Sequence, residues 1–411
     1  MPGTAPAVRE EGLVSPGEVR AVLLASIRPL AARPVRVADA AGLALAERMV
    51  APFPLPRFDN AAMDGFALRS TDTEDSPTEV RVVGTAFAGR PAEVPVGVGE
   101  AVSIATGAML PQGADAVVAV EDVAVQGDRV FVLEQVERGR HVRKAGEDFQ
   151  VGAVVLEAGS VLGPGQLAAA AAFGLEDVVV HPRPRVAVLP TGDELRRPGE
   201  ALGPGQVYES VSAPLGALIA EVGALPSVGD IAPDDAAGLE VAVREAAATS
   251  DAVVTVGGVS MGERDLIETV GGGERVRAYQ VALRPARPFA FGRPFGVPLF
   301  GLPGNPAAAL ASFEEFVRPA LLALMGKRPE VRPSVTASLT EAFAQRPGRV
   351  HLVRVEVWRE GDRLLARPAG RQGAGMIHSL ARAQGCAVVA PEVEALPVGA
   401  EIDVRLWVDV R

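Results

Sequence analysis

Residues 185–195 read RVAVLPTGDEL, a short apolar run that ends in a turn rich in glycine and acids. Around this stretch, apolar runs typical of strands alternate with runs of helical spacing. The strand-like runs are 226–232, 251–258 and 298–305, and the helix-like runs are 212–224, 234–248 and 306–326. Strands that alternate with helices of about 10 to 15 residues predict βαβ units and a parallel sheet with right-handed crossovers. The central fold class is therefore α/β.

The flanking sequence has a different pattern. Ser15-Pro16-Gly17-Glu18 has the spacing of a capping box and predicts a helix near the start of the chain. Residues 51–144 and the residues beyond Arg328 consist of short β-branched runs separated by Gly, Pro and Asp, which predict two β domains. We expect a linking domain at 1–48 with 147–180, an inserted antiparallel β domain at 49–146, an α/β domain at 181–327 and a C-terminal, barrel-like β domain at 328–411.

Composition restricts the partners. The 411 residues contain 40 Lys and Arg against 51 Asp and Glu, a net charge of −11. Nonspecific binding to nucleic acid or to an anionic membrane depends on surplus positive charge, so we expect neither partner. The single cysteine, Cys386, cannot form an intramolecular disulfide, and no apolar run is long enough to cross a bilayer. These features predict a cytoplasmic protein.

The carboxyl ends of the predicted parallel strands are rich in glycine. In open parallel sheets ligands bind at this edge, and glycine turns that lead into helices expose backbone N–H groups to an anion such as phosphate. One such turn alone is more often ordinary loop structure. Three turns on one edge favour a shared binding site. Its candidate substrate-binding residues are Thr191, Gly192, Gly257, Gly258, Ser260, Gly304 and Asn305.

Acids occur at the same edge. Several carboxylates beside a phosphate would repel it unless a divalent cation lay between them, and Mg²⁺ binds a few carboxylates together with substrate oxygens. The predicted metal ligands are Glu194, Asp234 and Asp265, although Asp234 and Asp235 could serve only as helix caps. His141 and His378 lack the spacing of zinc ligands. Arg284 and Arg287, fixed between prolines, fit an oxyanion site or surface ion pairs equally well.

The motifs together resemble the molybdopterin molybdenumtransferase family, the bacterial MoeA-type enzymes and the gephyrin E domain. The matching stretches run through most of the chain: PLPRFDNAAMDGFAL (54–68), IATGAMLPQGADAVVAVEDV (104–123), VRKAGEDF (142–149), VAVLPTGDEL (186–195), GGVSMGERD (257–265) and FGLPGNPAAALASFEEFVRPALL (300–322). This resemblance implies an elongated, four-part homodimer whose α/β part binds the pterin and its nucleotide.

The reaction implied by the resemblance consumes adenylylated molybdopterin and molybdate and releases AMP in the presence of a divalent metal. The motifs place the family's functional acids on Asp59, Asp148, Glu194, Asp234 and Asp265, and its substrate-binding residues also on Thr106, Arg284, Arg287 and Arg354. The resemblance further implies that Asp59 and Asp148 reach the site from the other subunit. It also implies transient contact with the molybdopterin adenylyltransferase.

Four positions depart from the family pattern. Arg284 and Arg287 replace lysines, Gln280 replaces a further lysine, and Ala374 replaces the serine of a GQGS-like turn. Two alternatives to the insertase therefore stay open. One is a MogA-type molybdopterin adenylyltransferase, which the large β regions disfavour. The other is a gephyrin-like scaffold or inactive duplicate, which the retained acids disfavour.

Overall fold

The computed structural model describes residues 12–259, 266–271 and 273–410. The chain divides into two compact units. The first comprises the described residues up to Ala46, Gly159–Gly163 and those from Val178 onward; the second comprises Glu47–Ala158 and Pro164–Asp177. Among the described residues, no helix has both the length and the apolar character that crossing a membrane requires.

The helices and strands are numbered in chain order. The helices are α1 Pro16–Ser26, α2 Pro164–Ala172, α3 Ser212–Val222, α4 Ala236–Thr249, α5 Pro306–Ser312, α6 Arg318–Leu324 and α7 Ile377–Arg382. The strands before residue 182 are β1 Arg33–Arg36, β2 Ala44–Leu45, β3 Met49–Val50, β4 Asn60–Ala61, β5 Gly65–Leu68, β6 Thr78–Ala86, β7 Glu100–Ile104, β8 Ala116–Ala119, β9 Val123–Gln126, β10 Arg129–Val132, β11 Val142–Arg143, β12 Val154–Leu156 and β13 Asp177–His181. The later strands are β14 Arg185–Pro190, β15 Leu195–Arg196, β16 Val207–Tyr208, β17 Leu225–Val228, β18 Ala252–Val256, β19 Gly273–Gln280, β20 Leu283–Arg284, β21 Pro288–Pro294, β22 Leu299–Leu302, β23 Ser334–Leu339, β24 Phe343–Ala344, β25 Val350–Glu360, β26 Arg363–Pro368, β27 Gly385–Val389, β28 Ala395–Leu396 and β29 Glu401–Leu406.

The predicted first helix is α1, and its capping box is formed. The Ser15 hydroxyl accepts a hydrogen bond from the Glu18 N–H at 3.2 Å, and the Glu18 carboxylate accepts one from the Ser15 N–H at 2.9 Å. Val19 and Leu23 point into the core of the first unit. The local pattern of caps and apolar spacing therefore sufficed to predict this helix.

The α/β sheet has the strand order β17-β14-β18-β22-β21-β19. The first four strands are parallel, which confirms the prediction. The last two extend the sheet antiparallel, as a hairpin that the strand–helix alternation did not predict. All five residues of β18 are buried, as expected for a central strand covered on both faces. Phe289, Phe300, Phe313 and Phe316 are among the largest side chains in this core.

The C-terminal region is a closed barrel. Its strands follow the order β25-β26-β23-β29-β27, and β27 also pairs with β25, so the ring closes with five strands. Closure removes exposed strand edges. Within this all-β region the structure adds the short helix α7, which was not predicted. The strand β20, which follows β19 of the α/β sheet in the chain, pairs in parallel with the barrel strand β25. This pairing joins the two regions by backbone hydrogen bonds.

The second unit is built on a six-stranded sheet of order β8-β5-β7-β6-β10-β9. Its pairings are antiparallel except for β6 with β7, which are parallel. The expected antiparallel β domain is thus largely correct, with one parallel pair in it. The two-stranded pairing of β4 with β11 brings the residues around Asp59 next to those that follow Arg143. The finer division into four domains stays a prediction.

Candidate active site

A cavity of about 570 Å³ opens at the carboxyl ends of β14, β18 and β22 in the first unit. This is the edge at which the sequence predicted a binding site. The predicted residues that line it are Thr191, Gly192, Glu194, Asp234, Gly257, Gly258, Gly304 and Asn305. The structure therefore brings eight predicted residues together, while their contacts with substrate stay predictions. Ser260 and Asp265 lie outside the described residues.

Gly257, Gly258 and Gly304 form what we call the glycine floor of the cavity. Gly257 and Gly258 have positive φ values of 98° and 67°, which favour glycine. A Cβ atom on Gly257 would lie 2.5 Å from the Thr191 carbonyl oxygen. The Thr191 N–H donates to the Val256 carbonyl at 2.9 Å, which fixes that approach. The turn therefore brings bare backbone to the cavity surface, as close binding of an anion requires.

Three carboxylates, from Glu194, Glu209 and Asp234, form the acidic wall of the cavity. The described lining residues include no Lys, Arg or His. The neighbouring Asp235 caps α4, because its carboxylate accepts a hydrogen bond from the Gly238 N–H at 2.9 Å. The helix-cap interpretation is thus correct for Asp235, whereas Asp234 faces the cavity. An anionic substrate needs a compensating cation here.

Sequence reasoning missed Glu209. Its Oε1 accepts hydrogen bonds from the N–H groups of Val211 at 2.7 Å and Ser212 at 2.8 Å, at the start of α3. The Tyr208 hydroxyl beside it donates to the Glu200 carbonyl at 2.8 Å and holds the preceding loop. An acid just before a run of helical spacing was the available signal.

The barrel also contributes to the cavity. Gly375 and Ile377 line it, and the Ala307 N–H at the start of α5 donates to the Ala374 carbonyl at 3.1 Å. The loop is held by Arg354, which is 2% exposed and donates to the Ser379 hydroxyl at 2.8 Å and to the Gly373 carbonyl at 3.0 Å. Burial lowers the pKa of the Arg354 guanidinium.

The predicted oxyanion arginines lie apart from this cavity. Neither Arg284 nor Arg287 lines it. Three polar atoms in or beside strands β19, β21 and β25 are buried without a hydrogen-bond partner among the described residues: the Arg287 Nε, the Gln280 Oε1 and the His351 Nε2. Arg284 of β20 lies beside His351 of β25 in the parallel register of these two strands. Burial, followed by the charges of Arg284 and Arg354, lowers the pKa of His351 to about 4, so its ring is neutral at pH 7.

The second unit carries its own acidic cluster. The Asp59 carboxylate accepts hydrogen bonds from the Lys144 Nζ and from the Ala145 N–H, both at 2.8 Å. The Lys144 hydrogen bond and then the Ala145 hydrogen bond lower the pKa of Asp59. Thr106 donates its N–H at 2.6 Å and its hydroxyl at 2.7 Å to the Asp64 Oδ1, and these bonds lower the pKa of Asp64.

Two of the residues predicted in this unit have side-chain partners that the sequence analysis did not select. Thr106 is bound to Asp64, which sequence reasoning did not select, and Asp59 is bound to Lys144, which it also missed. Asp148 follows Lys144 closely, and its N–H donates to the Leu55 carbonyl at 3.0 Å. No local pattern pairs Asp64 with Thr106 or Asp59 with Lys144, because each pair is distant in sequence.

Comparison with known proteins identifies the family. Residues 14–174 match the MoeA N-terminal region (domain I and II), residues 187–323 a probable molybdopterin binding domain, and residues 336–407 the MoeA C-terminal region (domain IV). The chain is 36% identical over 387 residues to molybdopterin molybdenumtransferase 2 of Mycobacterium tuberculosis, covering 91% of this chain and 95% of that protein. The chain belongs to the molybdopterin molybdenumtransferase family.

Two further relatives of the molybdenumtransferase family agree with this assignment. The molybdopterin molybdenumtransferase of Haemophilus influenzae is 37% identical over 72% of this chain and 73% of its own length. The crystal structure of the molybdopterin biosynthesis MoeA protein from Pyrococcus horikosii superposes with a TM-score of 0.83 at 32% identity, covering 97% of this chain and 100% of that one. The resemblance stated from the motifs is confirmed, and with it the multidomain α/β fold.

Proposed function

We propose that this protein transfers molybdenum from molybdate to adenylylated molybdopterin and releases AMP. Membership of the molybdenumtransferase family supports the reaction class. The observation that carries the proposal is the cavity, whose lining combines a glycine floor that suits a phosphate with an acidic wall. A phosphate and three carboxylates cannot share this space without positive charge, and the described lining residues supply none.

A divalent cation supplies that charge, and we assign Mg²⁺ to Glu194 and Asp234, with Asp265 as a third ligand. Carboxylate oxygens are the donors that Mg²⁺ prefers, and it commonly takes only one or two from the protein beside substrate oxygens. The described residues contain no cluster of three acids, histidines or cysteines placed to hold a metal. Glu194 and Asp234 would thus hold Mg²⁺ in an open site that substrate oxygens complete. When bound, the ion would neutralise phosphate charge and polarise the bond between the pterin phosphate and AMP.

The protein's own groups position the substrate. The glycine floor lets the phosphate approach the backbone, and the start of α5 orients its partial positive charge toward the same space. The loop held by Arg354 contributes Gly375 to the wall of the cavity, and the start of α7 contributes Ile377. The chemistry thus depends on both the α/β region and the barrel.

We further propose that the active enzyme is a homodimer, with Asp59, Thr106 and Asp148 of one subunit serving the cavity of the other. The support is the family resemblance, and Asp59 is partly exposed while held by Lys144 and Ala145. Mixing two impaired variants, Asp59→Asn and Glu194→Gln, at a Mg²⁺ concentration that is limiting for Glu194→Gln should give more activity than either variant alone, because mixed dimers regain one intact site. Failure of the mixture, with subunit exchange verified, would place both acids in one subunit's site.

We place this reaction in the cytoplasm, with transient contact to a molybdopterin adenylyltransferase that hands over its product. The single, buried Cys386 suits a reducing compartment. Handover by direct contact would protect a reactive substrate. A pull-down of the two proteins that depends on the adenylylated substrate would support this contact.

Metal dependence tests the assignment of the acidic wall. Glu194→Gln and Asp234→Asn should raise the Mg²⁺ concentration for half-maximal AMP release by about tenfold or more, as expected when a metal ligand loses its charge. Asp230→Asn is the matched control, since this exposed acid at the same sheet edge pairs with Arg197 and does not line the cavity. Equal Mg²⁺ dependence in all three variants would contradict the assignment.

A further inference from the structure

The start of α3 lies at the same sheet edge as the glycine floor and is already occupied. Glu209 Oε1 accepts hydrogen bonds from the N–H groups of Val211 and Ser212. These are among the amides that an α-helix leaves unpaired at its start and that bind phosphate or carboxylate groups. In this protein they are filled by its own carboxylate.

Glu209 also lines the cavity, together with Glu194 and Asp234. Glu209 is therefore both a cap of α3 and a lining residue of the cavity that the substrate enters. The glycine floor belongs to the ends of β18 and β22, whereas the acidic wall follows β14 and β17 along the chain. The acids that repel phosphate and the glycines that suit it thus come from different segments of the chain.

The other two helices that start at this edge, α4 and α5, differ in whether a carboxylate occupies the helix start. The start of α4 is filled by Asp235, which accepts from Gly238. At the start of α5, the Asn305 side chain makes no capping hydrogen bond. Carboxylates therefore fill the helix starts beside the acidic wall, and the start beside the glycine floor carries a neutral side chain.

We propose that Glu209 is a specificity-determining residue of this cavity. It fills the start of α3 with negative charge, keeps the substrate's phosphate away from that helix, and leaves the glycine floor as the place where phosphate binds. The inference deepens the proposed function and rests on it. It assigns to Glu209 a different role from that of Glu194 and Asp234, which hold metal.

Two substitutions separate the cap from the charge. Glu209→Gln keeps an oxygen acceptor for Val211 and Ser212 but removes the charge, whereas Glu209→Ala frees both amides. The probe is AMP, with binding measured by calorimetry and with AMP release measured in parallel. In Glu209→Ala we expect AMP to bind about tenfold more tightly and kcat to fall about tenfold, since the freed amides bind phosphate in an unproductive position. Glu209→Gln removes the charge but keeps the acceptor, so we expect it to shift AMP affinity and kcat in the same direction as Glu209→Ala and by a smaller factor.

Ser15→Ala is the matched control for loss of a helix cap. Ser15 caps α1 and does not line the cavity, so this variant should lower Tm and leave AMP affinity and kcat unchanged. The proposal is overturned if Glu209→Ala leaves AMP affinity unchanged or weakens it, whether or not its Tm falls. A wild type that releases no AMP would overturn the proposed function, while the comparison of AMP binding would still decide the role of Glu209.

Discussion

The pKa of the Asp59 carboxyl group depends mainly on its hydrogen bond with Lys144. The Lys144 hydrogen bond is the largest cause of the lowered pKa of Asp59. Lys144→Met should therefore raise this pKa toward its ordinary value of 3.8. If Asp59 acts in its ionised form, the acidic limb of the pH profile of AMP release moves to higher pH in this variant.

Lys144→Arg is the control, since it keeps a cation beside Asp59 and should keep the wild-type profile. The lowered pKa of Asp59 also makes the stability of the fold depend on pH. A carboxyl group with a lowered folded-state pKa stabilises the fold above its unfolded pKa and loses that contribution as the pH falls through the folded value. An acidic limb that does not move in Lys144→Met would remove Asp59 from the ionisations that limit turnover.

Cys386 gives a second prediction for a single residue. It is the one cysteine of the chain and is 2% exposed, and burial raises the pKa of its thiol to about 12. Because the thiolate is the reactive form, iodoacetamide at pH 8 should leave Cys386 unmodified in the native protein and modify it in urea. Rapid labelling without denaturant would show that the packing of barrel strand β27 against the core of the α/β region opens readily.

Among the structural elements, the turn after β18 is the most sensitive to a small change. Gly257→Ala places a Cβ against the Thr191 carbonyl at a positive φ, which should cost about 1–3 kcal/mol of stability and abolish AMP release. Gly17→Ala in the first turn of α1 is the control and should be neutral or stabilising, because that site is open. Thermal unfolding and AMP release measure the two effects. A Gly257→Ala enzyme with normal Tm and activity would contradict a rigid glycine floor.

The π-helical turn between α5 and α6, Phe313–Val317, carries two buried acids, Glu314 and Glu315. The Arg332 guanidinium donates to Glu314 at 2.9 Å and to Glu221 of α3 at 2.9 Å. Arg332→Met leaves Glu314 buried without this partner and should cost about 3–5 kcal/mol in urea unfolding. Adding Glu314→Gln to Arg332→Met should recover part of that loss. If Arg332→Met unfolds like the wild type, Glu314 does not depend on this arginine.

Elements whose signals are local were predictable from the sequence. The capping box of α1 depends only on neighbouring residues, and so does the strand–helix alternation that gives the parallel strands β14, β17, β18 and β22. The antiparallel β19 and β21 and the short helix α7 were not, because their positions depend on partners elsewhere in the fold. The same limit explains the site. Strand ends predicted the glycine floor, whereas the pair of Asp64 with Thr106 joins two turns that only the folded sheet brings together.

At the scale of the whole molecule, two distant parts of the sequence build one cavity. Gly257 and Gly304 come from the α/β sheet, and Gly375 comes from a loop of the barrel. The hydrogen bond from Ala307 to Ala374 fastens that loop to α5. A protein cut back to the α/β region would keep the glycine floor and the acidic wall but lose this wall of the cavity. The cavity therefore requires both the α/β region and the barrel.

The most direct test of the account is AMP release from adenylylated molybdopterin by the purified full-length protein with Mg²⁺, measured with and without molybdate. We predict that release depends on molybdate and that the pterin product carries molybdenum. The departures at Gln280, Arg284 and Ala374 would then be tolerated variations of the family pattern. Tight binding of the adenylylated pterin without molybdate-dependent release would contradict the account and indicate a protein that binds the pterin without transferring the metal.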